Sequence, residues 1–365
     1  MSNTHNRCAA ALAAIVLPFG LAEAAAMDRV VAQSETAQAA EAIEIRDFVG
    51  KLIFVPDEAA VSARLSDAVE GGPIVITANG AALRIDGPKE LVRQVERQVQ
   101  HGRIGDRRNS KERFEDFLSN YPVLTLSLPS TVDLILRDSA VLIDGEAADF
   151  DDVQIVDVPI LYGAIGASRR ADIHVSGRSD LEIGDVAERL KADVSGAGDL
   201  VGEVVGDAIL RISGSGDLTL SDVRGRLEAR ISGAGDIEID DVAGGADVHV
   251  SGSGDVSLDD ITGAFRATVS GSGDVEADRI EGPVEIRISG SGDIEIDEGD
   301  ASAFSVEASG SGNVHFGGIA TDPIVAVNGS SNIRIDAYRG TPQVNGRRGS
   351  VRIGGERFPR DTAGQ

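Results

Sequence analysis

The residues best placed to do chemistry are acids that recur at a nearly fixed interval in the second half of the chain. Each closes a pentapeptide of the type Ser-Gly-Ser-Gly-Asp, and the intervals between successive closing residues are 18 to 20 residues. These marker residues are Asp180, Asp199, Asp217, Asp236, Asp255, Asp274, Asp293, Asn313 and Asn332. If the repeats stack, the carboxylates form a column about 5 Å apart, which a hard cation such as calcium could neutralise.

The marker column has two interpretations. The calcium-binding nonapeptide solenoid pattern, Gly-Gly-x-Gly-x-Asp-x-apolar-x, looks close, but here Asp directly follows the second Gly and the period is doubled. Asn313 and Asn332 replace Asp, and Asp and Asn share the ability to accept hydrogen bonds from backbone N–H groups in Asx-type turns. The sequence therefore favours turn capping, keeps calcium as the alternative, and assigns no metal ligand.

No residue pattern typical of catalysis is visible. A second column of corner residues has no obvious base beside it: Ser195, Ser213, Ser232, Ser251, Ser270 and Ser289. His174 and His249 share one repeat position but lie four repeats apart, too far to form one site, and His101 and His315 lie elsewhere. There is no nucleophile triad, zinc cluster or phosphate loop. We therefore predict no catalytic, cofactor-binding or metal-binding residues.

The elements that position these columns are short strands. In the repeat around Asp255, apolar residues stand at Val248, Val250, Val256 and Leu258, a spacing of two that is typical of strands with one buried face. Such short strands bury that face only by stacking, about 4.8 Å apart. The pattern predicts an all-β fold, a right-handed parallel β-helix (solenoid) with about 19 residues per coil. A propeller blade needs about forty residues, and stacked hairpins rarely keep so uniform a register.

Two further details of the repeat lead to predictions. The glycines that flank the marker are expected to allow corners with positive φ. A third apolar position, six residues after the marker, is expected to begin a short third side; it holds Val186, Val205, Val223, Val242, Ile261 and Ile280.

The chain divides into four parts. Residues 1–26 read as a signal peptide, with Arg7 before a short apolar stretch and small residues at an A-x-A type of cleavage site. Residues 42–165 form an irregular β-rich part with a helix at 88–100, which is expected to cap the open end of the solenoid. Residues 166–340 are the regular repeats, and 341–365 form a polar tail. The mature chain has no transmembrane segment and no cysteine.

Composition excludes some classes of partner. There are 60 acidic residues against 34 basic ones, a net charge of −26, which argues against nucleic acid and anionic membranes. With 10 Phe, 3 Tyr and no Trp, the chain has little aromatic surface for stacking on sugar rings.

Three features together carry a resemblance to a known family. They are the Ser-Gly-Ser-Gly-Asp-apolar-x-apolar repeats, the Pro88–Val99 helix after Leu83-Arg-Ile-Asp-Gly, and the Leu126-Ser-Leu-Pro129 entry before Val132-Asp-Leu-Ile-Leu136. At these residues the chain resembles the "putative auto-transporter adhesin, head GIN domain" family, over roughly 42–340. The resemblance implies an envelope-associated or secreted β-helical protein with an adhesive role, and it supplies no catalytic residues.

We therefore predict an exported, non-enzymatic cell-envelope protein that acts as an adhesin-like binding or structural module. Its expected partner is an envelope or extracellular polymer or protein, and its expected location is the periplasm, the outer-membrane surface or the medium. The alternatives are a carbohydrate-active β-helix enzyme acting on polysaccharide and a calcium-dependent solenoid.

Overall fold

The computed structural model describes residues 33–37, 40–56, 60–100, 110–346 and 348–358. They form a β-solenoid of about 12 turns with about 19 residues per coil, which confirms the predicted fold class. The predicted signal peptide and His101 lie outside the described residues.

The first part of the chain holds nine strands and both helices. They are β1 (Gln33–Ala37), β2 (Ala42–Arg46), β3 (Val49–Pro56), β4 (Val61–Leu65), β5 (Val75–Asn79), β6 (Ala82–Asp86), α1 (Lys89–Gln100), α2 (Ser110–Phe117), the 3-10 turn Leu118–Asn120, β7 (Val123–Leu128), β8 (Asp133–Arg137) and β9 (Ala140–Ile143).

The rest of the described chain is strand, corner and short turn. The strands are β10 (Phe150–Ile165), β11 (Ser168–Ile183), β12 (Val186–Val194), β13 (Asp199–Ile212), β14 (Leu218–Val223), β15 (Leu227–Ile231), β16 (Ile237–Val242), β17 (Ala246–Val250), β18 (Val256–Thr262), β19 (Phe265–Val269), β20 (Val275–Ile288), β21 (Ile294–Ala308), β22 (Val314–Thr321), β23 (Ile324–Val327), β24 (Asn332–Arg339), β25 (Gln343–Gly346), β26 (Ser350–Ile353) and β27 (Glu356–Arg357).

Equivalent residues of successive coils stack in parallel register. The position after the marker runs through Leu218, Ile237, Val256, Val275 and Ile294 with no shift, and all five side chains are buried. At about 25 cal/mol per Å² of apolar surface, burying each such side chain contributes roughly 1.5–3 kcal/mol relative to exposure. The columns therefore form one continuous core along the axis, as the spacing of two predicts.

Each coil contributes to two parallel sheets, one on either side of the marker corner. The post-marker sheet holds the strands that follow the marker, such as β14, β16 and β18, and the pre-marker sheet holds those that precede it, such as β15, β17 and β19. The third apolar position is buried, but Val223 and Val242 end their post-marker strands. Val223 and Val242 therefore close a strand, whereas Val186 begins β12 as the pattern predicts, and Val205 and Ile280 lie inside β13 and β20.

The glycines of the marker corner serve a different purpose from the predicted one. Gly252, Gly254, Gly271 and their equivalents have negative φ, so the expectation of positive φ at these corners is wrong. A Cβ on Gly252 would overlap the carbonyl oxygen of Gly233, one coil away, and the same overlap recurs at every neighbouring coil. Glycine is needed because the backbones of stacked corners approach too closely for any side chain.

The first coils are not stacked in chain order. Strand β2 pairs in parallel with β6 on one edge and β8 on the other, and β3 does the same with β7 and β9. The coil of residues 42–56 therefore lies between the coil that holds β6 and β7 and the coil that holds β8 and β9. The parallel stacking continues from β8 and β9 into β10, so the solenoid begins well before the regular repeats.

Strands, not the helix, cover the first coil. Strand β5 pairs antiparallel with β6, β4 pairs antiparallel with β7, and β1 pairs antiparallel with β4. Antiparallel neighbours occupy the N–H and C=O groups that an open parallel edge would expose. The far end is closed in part by β27, which turns back antiparallel onto β26.

The predicted helix is present as α1, but its expected capping role is wrong. Val92 and Val95 of α1, with Phe114 of α2, are buried against the outward side chains of β9 and β10, including Leu142 and Tyr162. The reason is that β9 and β10 are apolar on both faces, so their outer face needs a cover. Helix α2 was not predicted. Neither described helix is long and apolar enough to span a bilayer.

Candidate functional site

The marker residues bond from coil to coil. The backbone N–H of Asp236 donates to Oδ1 of Asp217 at 2.9 Å, that of Asp255 to Asp236 at 2.7 Å, and that of Asp274 to Asp255 at 2.7 Å. The same bond runs from Asp199 at one end to Asn332 at the other. Each side chain thus accepts from the next coil, one repeat away, and not from a nearby N–H of its own turn as an Asx-type turn would require.

The two asparagines continue the column with an extra donor. Asn313 donates through Nδ2 to Asp293 at 3.1 Å, and Asn332 donates through Nδ2 to Oδ1 of Asn313 at 2.9 Å. An acceptor oxygen is what every marker position supplies, whether or not it carries charge. The geometry therefore accounts for the Asp-to-Asn exchange by hydrogen bonding between coils.

The corner serines also bond along the axis. Ser195 Oγ donates to the carbonyl of Val175 at 3.2 Å and Ser251 Oγ to that of Ile231 at 3.3 Å. Ser232 and Ser309 make the equivalent bond at 3.5 and 3.4 Å. Each of these hydroxyls donates its hydrogen bond to a backbone carbonyl, which leaves the oxygen lone pairs available as acceptors.

The post-marker sheet presents a strongly acidic outer face. Between residues 217 and 298 its acidic side chains outside the marker column are Asp222, Glu238, Asp240, Asp241, Asp259, Asp260, Glu276, Asp278, Glu295, Asp297 and Glu298. Arg279 is basic, and it pairs with Glu298 at 3.0 Å and Asp260 at 3.6 Å. Most of these carboxylates therefore face one another across the 4.8 Å coil spacing without a basic partner among the described residues.

Two carboxyl groups on this face have raised pKa values. Partial desolvation raises the pKa of Asp241, and the neighbouring charges of Asp222 and Asp260 raise it further. Partial desolvation likewise raises the pKa of Asp259, together with the charges of Asp278 and Asp240.

The pre-marker sheet differs because its acids are paired with bases on adjacent coils. Arg169 bonds Asp151 at 2.8 Å, Lys191 bonds Asp172 at 3.0 Å, and Arg266 bonds Glu285. The hydrogen bond from Arg169 lowers the pKa of Asp151, and the bond from Arg266 lowers the pKa of Glu285. Each exposed pair contributes only about 0.2–1 kcal/mol, so these contacts set the surface charge pattern more than they stabilise the fold.

A groove of about 500 Å³ runs along the axis at the edge of the pre-marker sheet. We call it the serine groove. One wall is the column His174, Asp193, Arg211, Arg230 and His249, which stand in register on five successive coils. The other wall is the corner serine column from Ser195 to Ser251, and the aliphatic residues Val194, Ile212 and Ile231 lie between the two walls.

The structure thus places the two predicted histidine positions in one groove, although at its opposite ends. His174 contacts Asp157 at 3.3 Å and His249 contacts Asp247 at 3.1 Å, so they have separate partners. The register of the intervening strands confirms that the two histidines lie four repeats apart. The repeat period alone does not predict the groove, because the groove depends on which outward columns meet at the corner.

Within the part of the chain that the structure describes, one cluster of acids has oxygen atoms close enough to hold a metal ion: Asp133, Asp151 and Asp152. Desolvation raises the pKa of Asp133, whose carboxylate accepts the backbone N–H of Asp152 at 3.1 Å. Arg169 and Arg170 bond Asp152 from the next coil, both at 3.0 Å. The guanidinium groups already supply positive charge to this cluster, so we assign no metal to it.

The central coils match the model of a known protein family. Residues 168–279 match the family model described as "Putative auto-transporter adhesin, head GIN domain". This GIN-like segment begins at the first residue of β11 and ends inside β20, and it contains every residue of the serine groove. The predicted resemblance is confirmed for these coils, over a shorter range than the 42–340 expected.

Two solved structures are similar to the chain. One is the crystal structure of a "putative adhesin" from Bacteroides fragilis, with 14% identity and a TM-score of 0.34, covering 73% of this chain and 96% of that one. The other is a "putative adhesin" from Parabacteroides distasonis, with 12% identity and a TM-score of 0.27, covering 90% and 98%. At these values neither likeness supports a conclusion about function. No curated protein is significantly similar to the sequence.

Proposed function

We propose that this protein is an exported, non-enzymatic module of the bacterial cell envelope that binds an extended partner along its solenoid, in the manner of an adhesin. The observation that carries the proposal is the order of its exterior. Outward side chains form continuous columns along the axis, and some columns keep one kind of chemistry over three coils, such as the acidic column Asp222, Asp241 and Asp260. A surface that repeats along one axis suits a partner that also repeats along one axis, because many weak contacts then add.

Two other features support a scaffold role. The hydroxyl and carboxylate groups of the corner columns are bonded to backbone of neighbouring coils, as Ser251 and Asp255 show, which makes them structural. The GIN-like segment matches a family described as an adhesin head, which favours a location at the cell surface.

Fractionation with surface labelling tests the location. Cells that express the full chain are treated with a membrane-impermeant amine or carboxyl label and separated into cytoplasm, envelope and medium. We expect the mature chain in the envelope or medium, cleaved near residue 26 and accessible to the label. Recovery of an uncleaved, unlabelled chain from the cytoplasm would contradict the proposal.

A separate assay tests the non-enzymatic part. Purified protein is incubated with acidic and neutral polysaccharides, and new reducing or unsaturated ends are measured over time. We expect none above the level of a heat-denatured sample. A steady increase with time would identify a carbohydrate-active enzyme instead.

A further inference from the structure

We propose that the serine groove is a binding site for a linear polysaccharide that carries carboxylate groups, laid along the solenoid axis. This inference rests on the proposed function, since it names the partner class and the surface that binds it. The groove crosses five coils from His174 to His249, all of them within the GIN-like segment. At about 4.8 Å per coil it offers roughly 19 Å of straight binding surface.

Positive charge is concentrated on one wall of the groove. Arg211 and Arg230 stand on adjacent coils at its centre, with about two-fifths of each side chain exposed. Both guanidinium groups share the single carboxylate of Glu228, and Arg211 also lies 3.6 Å from Asp193. Because a guanidinium has five N–H donors, each retains donors for a second carboxylate, and a planar fork binds a carboxylate with two parallel hydrogen bonds.

The one acid in the wall is already neutralised. Asp193 contacts Lys191 at 3.3 Å as well as Arg211. Three other acids pair with this wall and do not line the groove: Asp157, which contacts His174, and Glu228 and Asp247, which precede wall residues by two positions on the sheet. The charged residues that line the groove are two arginines and one aspartate, so its lining is net positive, although the whole chain carries −26.

The opposite wall supplies hydroxyl groups at the same interval. Three of the hydroxyls, those of Ser195, Ser232 and Ser251, donate hydrogen bonds to backbone carbonyls, so their oxygen lone pairs can accept hydrogen bonds from a ligand. The hydroxyl of Ser213, which lies between them, has no hydrogen-bond partner among the described residues and is free to donate or accept. Sugar hydroxyls, which both donate and accept, match such a mixed row.

The groove favours a charged glycan over other long partners. It has no aromatic side chain on which a neutral sugar could stack, so the arginines are the anchor. A basic peptide would be repelled by those arginines. The marker carboxylates follow the arginine column by six residues and do not line the groove.

Oligogalacturonates of defined length are a suitable probe, with dextran as the neutral reference. Their affinity for the purified full chain is measured by titration calorimetry at low and at physiological ionic strength. We expect binding to strengthen with length until the oligomer spans the coils from 174 to 249, to weaken with salt, and to be undetectable for dextran. The double variant R211S/R230S should lose at least tenfold in affinity.

The matched control is R266S/R279S, which removes the same charge from exposed, ion-paired positions outside the groove. It should bind within about twofold of the parent, and melting curves should show both double variants folded. Equal loss in the two double variants, or parent affinity no greater for galacturonate than for dextran, would overturn the assignment.

Three outcomes are informative, and the first and third of them separate this inference from the function on which it rests. If the chain is found at the envelope but ignores oligogalacturonate, the groove assignment fails and the proposed function stands. If a phosphate-bearing polymer binds through Arg211 and Arg230 while oligogalacturonate does not, the carboxylate specificity is wrong. If oligogalacturonate binds as expected but the chain is cytoplasmic, the proposed function fails.

Discussion

At the scale of single residues, two requirements explain why each coil repeats the corner sequence. One is the close approach of stacked backbones, and the other is hydrogen bonding between coils. The two glycines of each corner leave room for the backbone of the coil below, and the marker residue accepts an N–H from the coil above. Neither role is charge chemistry. The corner sequence is therefore explained by stacking, without a ligand.

The glycine role predicts a large loss on adding one carbon. In the variant Gly252→Ala the new methyl group overlaps the carbonyl oxygen of Gly233, and backbone cannot move aside as a side-chain tip could. We expect a loss of about 2 kcal/mol or more in the free energy of unfolding, measured by urea denaturation. Ser253→Ala is the control, since this exposed side chain lies between the two corner glycines. Equal stability of the two variants would contradict the argument.

The marker role predicts a contrast between two changes at one position. Asp255→Asn keeps an acceptor for the N–H of Asp274 and should leave stability within about 0.5 kcal/mol, as Asn313 and Asn332 illustrate. Asp255→Ala removes the acceptor and should cost about 1 kcal/mol. Thermal melts with millimolar calcium or with chelator serve as the control. A melting temperature that rises with calcium in the parent and not in Asp255→Asn would favour the calcium interpretation.

At the scale of elements, helices α1 and α2 form a second, smaller core on the flank of the solenoid. Val92, Val95 and Phe114 are buried there against β9 and β10, and Lys51 of β3 bonds Glu115 of α2 at 2.8 Å. That hydrogen bond lowers the pKa of Glu115. Because this core is separate from the columns inside the coils, the two parts can lose structure independently.

This separation predicts a local effect of a core substitution. Val95→Ala leaves a cavity in the flank core and should cost about 1–3 kcal/mol. Hydrogen exchange followed by mass spectrometry should show faster exchange in α1 and α2, while the repeats from β14 to β20 keep their protection. Arg93→Ala, at an exposed position of the same helix, is the control and should change neither. Uniformly faster exchange along the chain would show that the helices belong to one cooperative unit with the repeats.

At the scale of the whole molecule, charge is segregated between the two sheets. The post-marker sheet carries unpaired acids, whereas the pre-marker sheet carries ion pairs and the serine groove. Repulsion on the acidic face opposes stacking, and the buried columns outweigh it because each coil buries several aliphatic side chains. The coils therefore stack in register despite a strongly charged exterior.

The crowded acids predict a stability that depends on pH. The pKa of Asp241 and of Asp259 is higher in the folded chain than the usual 3.8, so their ionised forms are disfavoured by folding. The resulting penalty is fully present above the folded pKa and disappears as pH falls below the unfolded value. The variant D241N/D259N should thus be more stable than the parent at pH 7, by a few tenths of a kcal/mol at these exposed sites.

The measurement is a series of urea denaturations between pH 7 and pH 3.5. The stability difference between D241N/D259N and the parent should shrink towards zero as pH falls, and it should also shrink at high salt. The variant S257N, on the same outer face without a change in charge, controls for the new amide groups. A difference that is independent of pH would mean that mutual repulsion is not its source.

Several features followed from the amino-acid sequence alone. The nineteen-residue period and the alternation around each marker determined parallel stacking, the strand positions and the buried columns, because only equivalent residues in register can bury so many short strands. Helix α1 was also predictable, from its apolar stripe of Leu91, Val95 and Val99.

Only the tertiary structure decided the rest. The coil of residues 42–56 is inserted between two later coils, and no local pattern encodes which edge a strand will pair with. The flank position of α1 and α2 depends on the outer face of β9 and β10, which a different part of the chain supplies. The serine groove exists because coils 18 or 19 residues apart bring Arg211, Arg230 and the corner serines together. Sequence sets the period of a solenoid, but contacts across its corners and ends are set in three dimensions.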